Sequence, residues 1–219
     1  MPYIDAHMHV VPDDVFYKAR QKGVEMFFVN ATSQNDWQTV LDLSERILGV
    51  YPCLGIHPWY VDTAVGNWEA DLIDLLRAHP LAMVGEIGLD KGRQNFLLQQ
   101  DIFRRQLQIA ADMKRPVHIH CVKAWDEMFE IIGEFRDVKM LLHRFGGDEI
   151  LVQKFRMLNA YFSVLNDKVY EVVPDNRLLV ESDAPNGLKS PEAIPDLVRA
   201  LKLDENYLMQ TAEDFLDGR

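Results

Sequence analysis

Short apolar runs alternate with longer amphipathic segments along most of the chain. Runs rich in β-branched and aromatic residues predict buried strands, and apolar residues spaced three or four apart predict helices. Eight strands are predicted, at Tyr3–His9, Glu25–Asn30, Tyr51–His57, Met83–Ile87, Val117–His120, Lys139–His143, Ala160–Val164 and Leu178–Ser182. Eight helices are predicted, at Asp14–Lys22, Asn35–Leu48, Trp68–His79, Leu97–Lys114, Lys123–Arg136, Asp148–Leu158, a short one near Asp167–Val173, and Pro191–Leu201.

This regular alternation of strands and helices predicts an α/β fold, a single TIM-type (β/α)8 barrel spanning residues 1–219. A length of 219 residues lies near the lower limit for that fold, so we expect a compact barrel with abbreviated late units, above all between Val164 and Leu178. An open doubly wound sheet is the alternative. It is less favoured because no Gly-x-Gly-x-x-Gly motif follows any predicted strand.

The charge balance of 23 basic against 34 acidic residues gives a net charge of −11 and argues against a broad nucleic-acid-binding or membrane-binding surface. No apolar run approaches the roughly 18 residues that span a bilayer, and no signal-peptide pattern is present. Cys53 and Cys121 form neither a C-x-x-C pair nor a disulfide framework. We therefore expect a cytoplasmic protein without membrane partners; its oligomeric state is left open.

His7 and His9 lie one residue apart in the first predicted strand. Side chains alternate between the two faces of a strand, so these two imidazoles share a face and are available as metal ligands. A pair of half-buried strand histidines is the alternative from this motif alone.

Further polar residues fall near the carboxyl ends of later strands, which meet at one rim of a barrel. With His7 and His9, Glu86, His120, His143 and Asp183 form a set of four imidazoles and two carboxylates, which suits Zn²⁺ or Mn²⁺ better than Ca²⁺. Six ligands exceed the needs of one tetrahedral zinc. The set therefore predicts two divalent metal ions, zinc first and manganese or magnesium as alternatives, bridged by Glu86 and a hydroxide, with a net positive charge that attracts an anion.

Six ordered motifs in the chain resemble those of the TatD family of metal-dependent hydrolases, within the amidohydrolase superfamily. They are Asp5-Ala6-His7-Met8-His9, Gly55-Ile56-His57-Pro58, Gly85-Glu86-Ile87-Gly88-Leu89-Asp90, Val117-His118-Ile119-His120, His143-Arg144-Phe145-Gly146-Gly147 and Glu181-Ser182-Asp183-Ala184-Pro185. The resemblance implies a TIM-type barrel, one or two metals, and hydrolysis, most often of phosphodiester bonds in DNA. It also implies that His7, His9 and Asp183 hold one metal, and that His120 and His143 hold the second. Glu86 would then bridge the two.

The chain also departs from that family pattern. Cys121-Val122-Lys123-Ala124 replaces the usual Ser-Arg-Asp-Ala, and Asn186-Gly187-Leu188-Lys189-Ser190-Pro191 replaces an arginine-rich stretch. Asp214 stands where the C-terminal helix of the family usually carries Asn. The first two changes remove cations expected to bind phosphate.

Several residues are assigned roles, each beside a simpler alternative. Asp183 is predicted to act as metal ligand and general base, with helix capping as the alternative, and Glu86 as a catalytic bridge, with a structural salt bridge as the alternative. His118 is expected to pack inside the barrel or support a ligand rather than bind metal directly. Four residues are candidate substrate contacts, with loop anchoring or plain solvation as alternatives: His57, Arg93, Lys123 and Arg144.

The sequence therefore predicts a divalent-metal-dependent hydrolase in which a metal-bridging hydroxide attacks phosphorus or a carbonyl carbon. Phosphodiester hydrolysis of the TatD nuclease type is the first hypothesis, with an anionic small molecule or a nucleic-acid end as substrate. A small-molecule amidohydrolase or esterase is the second hypothesis. It is supported by the negative net charge and by the absence of the arginines that the family usually carries in its phosphate-binding stretches. A non-catalytic metal-binding scaffold is the third.

Overall fold

The computed structural model describes residues 2–165 and 168–217. Every predicted strand is present, with bounds that differ by a few residues. The strands are β1 (Tyr3–Met8), β2 (Val24–Asn30), β3 (Val50–Leu54), β4 (Met83–Asp90), β5 (Val117–Val122), β6 (Met140–Leu142), β7 (Ala160–Val164) and β8 (Leu178–Val180).

The eight strands form one parallel sheet in the order β1 to β8. The segment after β8 then returns to β1. The backbone N–H of Asp183 donates to the carbonyl of His7 at 2.9 Å, and the N–H of His9 donates to the carbonyl of Ala184 at 2.8 Å. These bonds bring the last strand against the first, which confirms the TIM-type barrel.

Eight α-helices accompany the strands in the described residues. They are α1 (Asp13–Gln21), α2 (Trp37–Arg46), α3 (Trp68–Ala78), α4 (Phe96–Met113), α5 (Trp125–Ile132), α6 (Glu149–Arg156), α7 (Ile194–Leu201) and α8 (Glu205–Leu216). Helix α4 buries Ile102, Phe103 and Leu107 on one face, in keeping with its predicted apolar stripe.

Two helix assignments from sequence differ from the structure. The helix predicted near Asp167–Val173 is a 3-10 turn at Lys168–Glu171, and Asp167 lies outside the described residues. Helix α8 was not predicted, although Leu208, Ala212 and Phe215 follow helical spacing and are buried. The family resemblance alone implied a C-terminal helix here, at Asp214.

The late units are short, as the chain length predicted. Strands β6 and β8 have three residues each, whereas β4 has eight. In the described part of the chain, only 3-10 turns at Lys168–Glu171 and Asp175–Arg177 connect β7 to β8. The barrel therefore closes within 219 residues because two strands of its second half, and the connection between β7 and β8, are short.

Helix α8 closes the amino-terminal end of the barrel. The fully buried ring of Phe215 lies 5.6 Å from the ring of His118 and 5.2 Å from that of Tyr161, both of which belong to barrel strands. A large apolar side chain at this position excludes water from the bottom of the barrel. The opposite, carboxyl end is the open one. No helix among the described residues is long and apolar enough to cross a lipid bilayer.

Candidate metal centre

The carboxylate of Glu86 is the centre of a cluster of imidazoles at the carboxyl end of the barrel. Its Oε2 lies 3.5 Å from Nε2 of His7 and 3.3 Å from Nε2 of His9. Its Oε1 lies 3.1 Å from Nδ1 of His120 and 2.9 Å from Nε2 of His143. One carboxylate thus faces a different pair of imidazoles with each oxygen.

Asp183 joins the His7 and His9 side of the cluster, with Oδ1 3.7 Å from Nε2 of His9. Donor atoms of His7, His9 and Asp183 all lie within 4.8 Å of one another, a spacing that a single metal ion can span. On the other side, Nδ1 of His120 lies 3.3 Å from Nε2 of His143. The structure therefore brings all six predicted ligands together. Two further groups have donor atoms at the same spacing, His57 with Glu86 and His120, and His7 with His143 and Glu181.

Glu86 reaches this position from within β4 rather than from its end. The strand was predicted to stop at Ile87 but continues to Asp90, and its register against β5 shifts between Val84 and Ile87. The preceding Gly85 is required by close packing, because a Cβ there would lie 2.7 Å from both Oδ1 of Asn30 and Cβ of His118.

Polar contacts behind the imidazoles, some of them hydrogen bonds and one an ion-pair contact, orient their metal-facing nitrogens. Nδ1 of His9 lies 3.0 Å from the carbonyl oxygen of Asn30, to which it donates, leaving the Nε2 lone pair free. The side-chain amide of Asn30 lies 3.2 Å from Nδ1 of His7. Nδ1 of His143 lies 3.4 Å from Oε1 of Glu181, whose Oε2 accepts a 2.5 Å bond from the Ser163 hydroxyl. Each of these histidines points Nε2 at the cluster.

Burial and mutual charge shift the protonation of the cluster. Burial opposes ionisation of Glu86, but the imidazoles of His57, His143 and His7 hold its pKa well below the usual value. Burial disfavours the cationic form of His143, yet Glu86 and Glu181 raise its pKa well above the usual value. Burial, together with His143, lowers the pKa of His7. Without a metal, the cluster therefore holds positive charge on His143 between two carboxylates.

The donor set fits a divalent cation by a second criterion. Nε2 of His7 and Oε1 of Glu86 are buried and make no hydrogen bond of acceptable geometry within the described structure. Buried polar atoms without partners are costly unless something pairs with them. A cation bound between the imidazoles and carboxylates would satisfy both atoms.

His57 was predicted as a substrate contact, and the structure places it beside Glu86. Its Nδ1 accepts a hydrogen bond from the backbone N–H of Trp59 at 3.1 Å, so the neutral ring carries its proton on Nε2. That Nε2 lies 3.3 Å from Oε1 of Glu86. In this tautomer His57 presents a hydrogen-bond donor to the cavity, and it also forms, with Glu86 and His120, one of the groups whose donor atoms lie close enough to hold a metal ion.

The three cations predicted to contact substrate lie in different surroundings. Arg144 lines the cavity, but its Nη1 donates to Oδ2 of Asp183 at 2.9 Å. Arg93 lies at the rim, with its guanidinium 4.0 Å from the ring centre of Trp59. Lys123 is exposed and is not among the residues that line the cavity. Arg144 is therefore already engaged, and neither Arg93 nor Lys123 is among the residues that line the cavity.

Three loop residues that follow strands adopt left-handed backbone conformations. Lys123 has φ of 55°, Arg144 of 44° and Asp183 of 48°. Such angles are uncommon for residues other than glycine, and they concentrate at functional sites where the surrounding structure enforces them. Backbone hydrogen bonds hold Asp183 in this conformation. Its N–H donates to the carbonyl of His7, and its own carbonyl accepts from the N–H groups of Asn186 and Gly187.

Several residues of the site had no role assigned from sequence. Asn30 and Glu181 orient ligand imidazoles, and Asp90 ends the extended β4 beside the cavity with 4% of its surface exposed. Glu181 directly follows the apolar run of β8, and a carboxylate there signals a buried partner. Asn30 ends a strand like the predicted ligands do, so its position was a usable signal.

The cavity above Glu86 has a volume of about 610 Å³ and opens to solvent. A buried carboxylate–imidazole cluster under an open cavity at the carboxyl end of a barrel is an arrangement typical of metal-dependent hydrolases. The model for the family described as TatD related DNase matches residues 4–214, and the chain belongs to that family.

Known proteins agree with this assignment over most of their length. The chain is 27% identical to human deoxyribonuclease TATDN3 over 213 residues, covering 83% of this chain and 77% of the relative. It is 26% identical to the 3'-5' ssDNA/RNA exonuclease TatD of Citrobacter koseri over 189 residues, covering 79% and 72%. The crystal structure of YJJV, a TatD homolog from Escherichia coli K12, superposes with a TM-score of 0.87 at 24% identity, covering 97% of this chain and 95% of that one.

Proposed function

We propose that this protein is a divalent-metal-dependent hydrolase that cleaves phosphodiester bonds. The observation that carries the proposal is the Glu86 carboxylate, which faces four ligand-type imidazoles and lies with Asp183 under an open cavity. Family membership supports the same activity, because relatives in the family carry the names deoxyribonuclease and 3'-5' ssDNA/RNA exonuclease.

Two metal sites share Glu86 in this proposal. His7, His9 and Asp183 hold one ion, and His120 and His143 hold the other. Zinc suits this mixture of imidazoles and carboxylates best, and manganese or magnesium are alternatives. Bound there, such ions would make water a stronger nucleophile at neutral pH and polarise a phosphoryl oxygen.

The protein's own groups supply orientation and proton transfer. Oδ1 of Asp183 faces the cluster, whereas its Oδ2 is held by Arg144. Burial raises the pKa of Asp183, which makes this carboxylate a better proton acceptor than an exposed one. We assign it the general-base role, and we assign to the Nε2–H of His57 a hydrogen bond to substrate oxygen.

We infer that the substrate is an anionic small molecule or the end of a nucleic acid rather than a long duplex. The net charge of −11 gives no extended basic surface, so attraction must come from the metal centre and from Arg93 at the rim. Cys53, which is buried, and Cys121 are free thiols, and this is in keeping with a cytoplasmic location.

A small-molecule ester or amide is the second candidate substrate class. It is favoured by one specific observation, the engagement of Arg144 by Asp183, which leaves few cations free on the cavity wall. Phosphodiester hydrolysis with a steep decrease in rate as salt rises would favour the nucleic-acid end instead.

Removing and restoring the metal tests the proposal. We expect elemental analysis of untagged protein to find bound divalent metal, chelation to abolish turnover of a phosphodiester, and re-addition to restore it. Phosphomonoester and amide substrates assayed in parallel define the bond cleaved. Protein that holds no divalent metal and binds none when it is offered would contradict the proposal.

Asp183→Asn separates an enzyme from a metal-binding scaffold. For an enzyme, we expect turnover to decrease by about 10²-fold or more while the melting temperature changes little, because the group acts on the reacting atoms. A variant that loses mainly thermal stability would indicate a structural role.

A further inference from the structure

Trp59 differs from the other tryptophans of the chain in its exposure. Trp37 and Trp68 are 3% and 4% exposed, and Trp125 packs against the rings of Phe145 and Phe155. Trp59 is 47% exposed and lines the cavity above Glu86. Burial and ring packing account for these three tryptophans, whereas about half of the Trp59 surface stays exposed beside the cavity.

The indole of Trp59 is held in place rather than free to rotate. Its Nε1–H donates to Oδ2 of Asp90 at 2.6 Å, and the guanidinium of Arg93 covers its ring at 4.0 Å. Asp90 is itself fixed, because its Oδ1 accepts from the N–H of Gly92 at 2.7 Å and its backbone pairs with the side chain of Gln99. A rigid aromatic surface loses little entropy when a ligand stacks on it.

The ring also lies next to the proposed reaction centre. Its centre is 5.0 Å from that of His57 and 6.1 Å from that of His120. A planar group stacked on Trp59 would therefore neighbour a phosphate bound at the metal ligands. Nucleobases are the planar groups that adjoin phosphodiesters, and they stack on tryptophan whatever their identity.

We propose that Trp59, braced by Asp90 and Arg93, is a stacking subsite for the nucleobase next to the phosphodiester that this centre cleaves. The proposal rests on the proposed function and adds a substrate requirement to it. The enzyme then prefers nucleotide esters over simple phosphodiesters and accepts all bases, since stacking reads the ring face and not the hydrogen-bonding edge.

The test compares two chromogenic esters with the same leaving group, thymidine 5'-(p-nitrophenyl phosphate) and methyl p-nitrophenyl phosphate. We expect Trp59→Ala to raise the KM of the thymidine ester about tenfold, with little change in kcat, and to leave the methyl ester within about twofold. Trp59→Phe keeps a ring face and should retain most of the preference. Tyr207→Ala, at a similarly exposed aromatic residue on α8, is the matched control.

An equal loss on both esters, or no loss on the thymidine ester, would overturn the stacking subsite. Melting temperatures identify a variant that fails to fold, and Trp59→Leu then replaces Trp59→Ala as the variant without a ring. If the wild-type protein cleaves neither ester, the proposed function fails, and binding still tests the subsite. Thymidine 5'-monophosphate should quench tryptophan fluorescence saturably in the metal-loaded wild type and not in Trp59→Phe; absence of quenching in the wild type counts against the proposal.

Discussion

Two layers of polar residues inside the barrel differ in what surrounds them. The upper layer, at the carboxyl end, consists of His9, Glu86, His120, His143 and Asp183 and borders the open cavity. The lower layer, beneath it, consists of Asp5, Asn30, His118 and Glu181, each at most 1% exposed. The imidazoles of the upper layer face the carboxylate of Glu86. In the lower layer, Asp5 and Glu181 accept hydrogen bonds from serine hydroxyls, His118 contacts Asn30, and Glu181 also contacts Nδ1 of His143, the nitrogen that points away from Glu86.

His118 and His120 show what this difference does to one residue type. They lie two positions apart on β5, and strand parity places them on the same face. Burial lowers the pKa of His118 from 6.5 to about 3, and its neighbours are Asn30 and the ring of Phe215. His120 is partly exposed and faces Glu86. What distinguishes the two groups is the contact with Glu86, because His7 is as fully buried as His118 and still faces that carboxylate, as His120 does.

The largest predicted effect comes from the centre of the upper layer. Glu86→Gln removes the charge that faces four imidazoles, so we expect divalent metal to be lost and turnover to decrease by about 10³-fold. Elemental analysis and steady-state rates measure both. Glu134→Gln, at an exposed glutamate paired with Arg104, is the control and should change neither. Normal metal content in Glu86→Gln would remove Glu86 from the ligand set.

A smaller effect is expected from the lower layer. Glu181→Gln weakens the contact that orients His143, and we expect affinity for the metal to decrease about 10- to 100-fold, as for other groups that hold a ligand histidine. Ser163→Ala, which removes only the hydroxyl bond to Glu181, should cost less. A chelator-competition titration measures the affinity for the metal. If Glu181→Gln lost as much metal affinity as Glu86→Gln, the two layers would not differ in their role.

The smallest effect concerns pH and His118. The folded protein keeps this ring neutral down to about pH 3, whereas the unfolded chain protonates it near pH 6.5. Its contribution to stability is therefore complete above pH 6.5 and is lost as pH decreases toward 3. Between pH 7 and pH 5 the wild type should lose about 2 kcal/mol more of unfolding free energy than His118→Leu.

Urea unfolding of the two proteins in the presence of a chelator measures this difference. Histidines far from His118 contribute equally to both proteins and cancel in the comparison, whereas His7 and His143 interact with it and are compared through the matched double variants with His118→Leu. Parallel decreases in stability with pH would show that His118 titrates normally and would place it with the upper layer.

Sequence pattern predicted the barrel, its short late units, and Glu86 with the five residues that gather around it, because strand parity and strand ends are local properties. It missed α8 and the last residues of β4. It also did not predict that Arg144, a candidate substrate contact, pairs with Asp183. Pairings of that kind join loops from different strands, and no local pattern encodes them.

Sequence by itself therefore determined which side chains reach the carboxyl end of the barrel. Only the tertiary structure decided the proton position on His57, the ion pair of Arg144 with Asp183 and the bracing of Trp59 by Asp90 and Arg93. The physical reason is that ligand residues follow the two-residue repeat of a strand. Tautomers, burial and stacking depend instead on atoms that closure of the barrel brings together from distant parts of the chain.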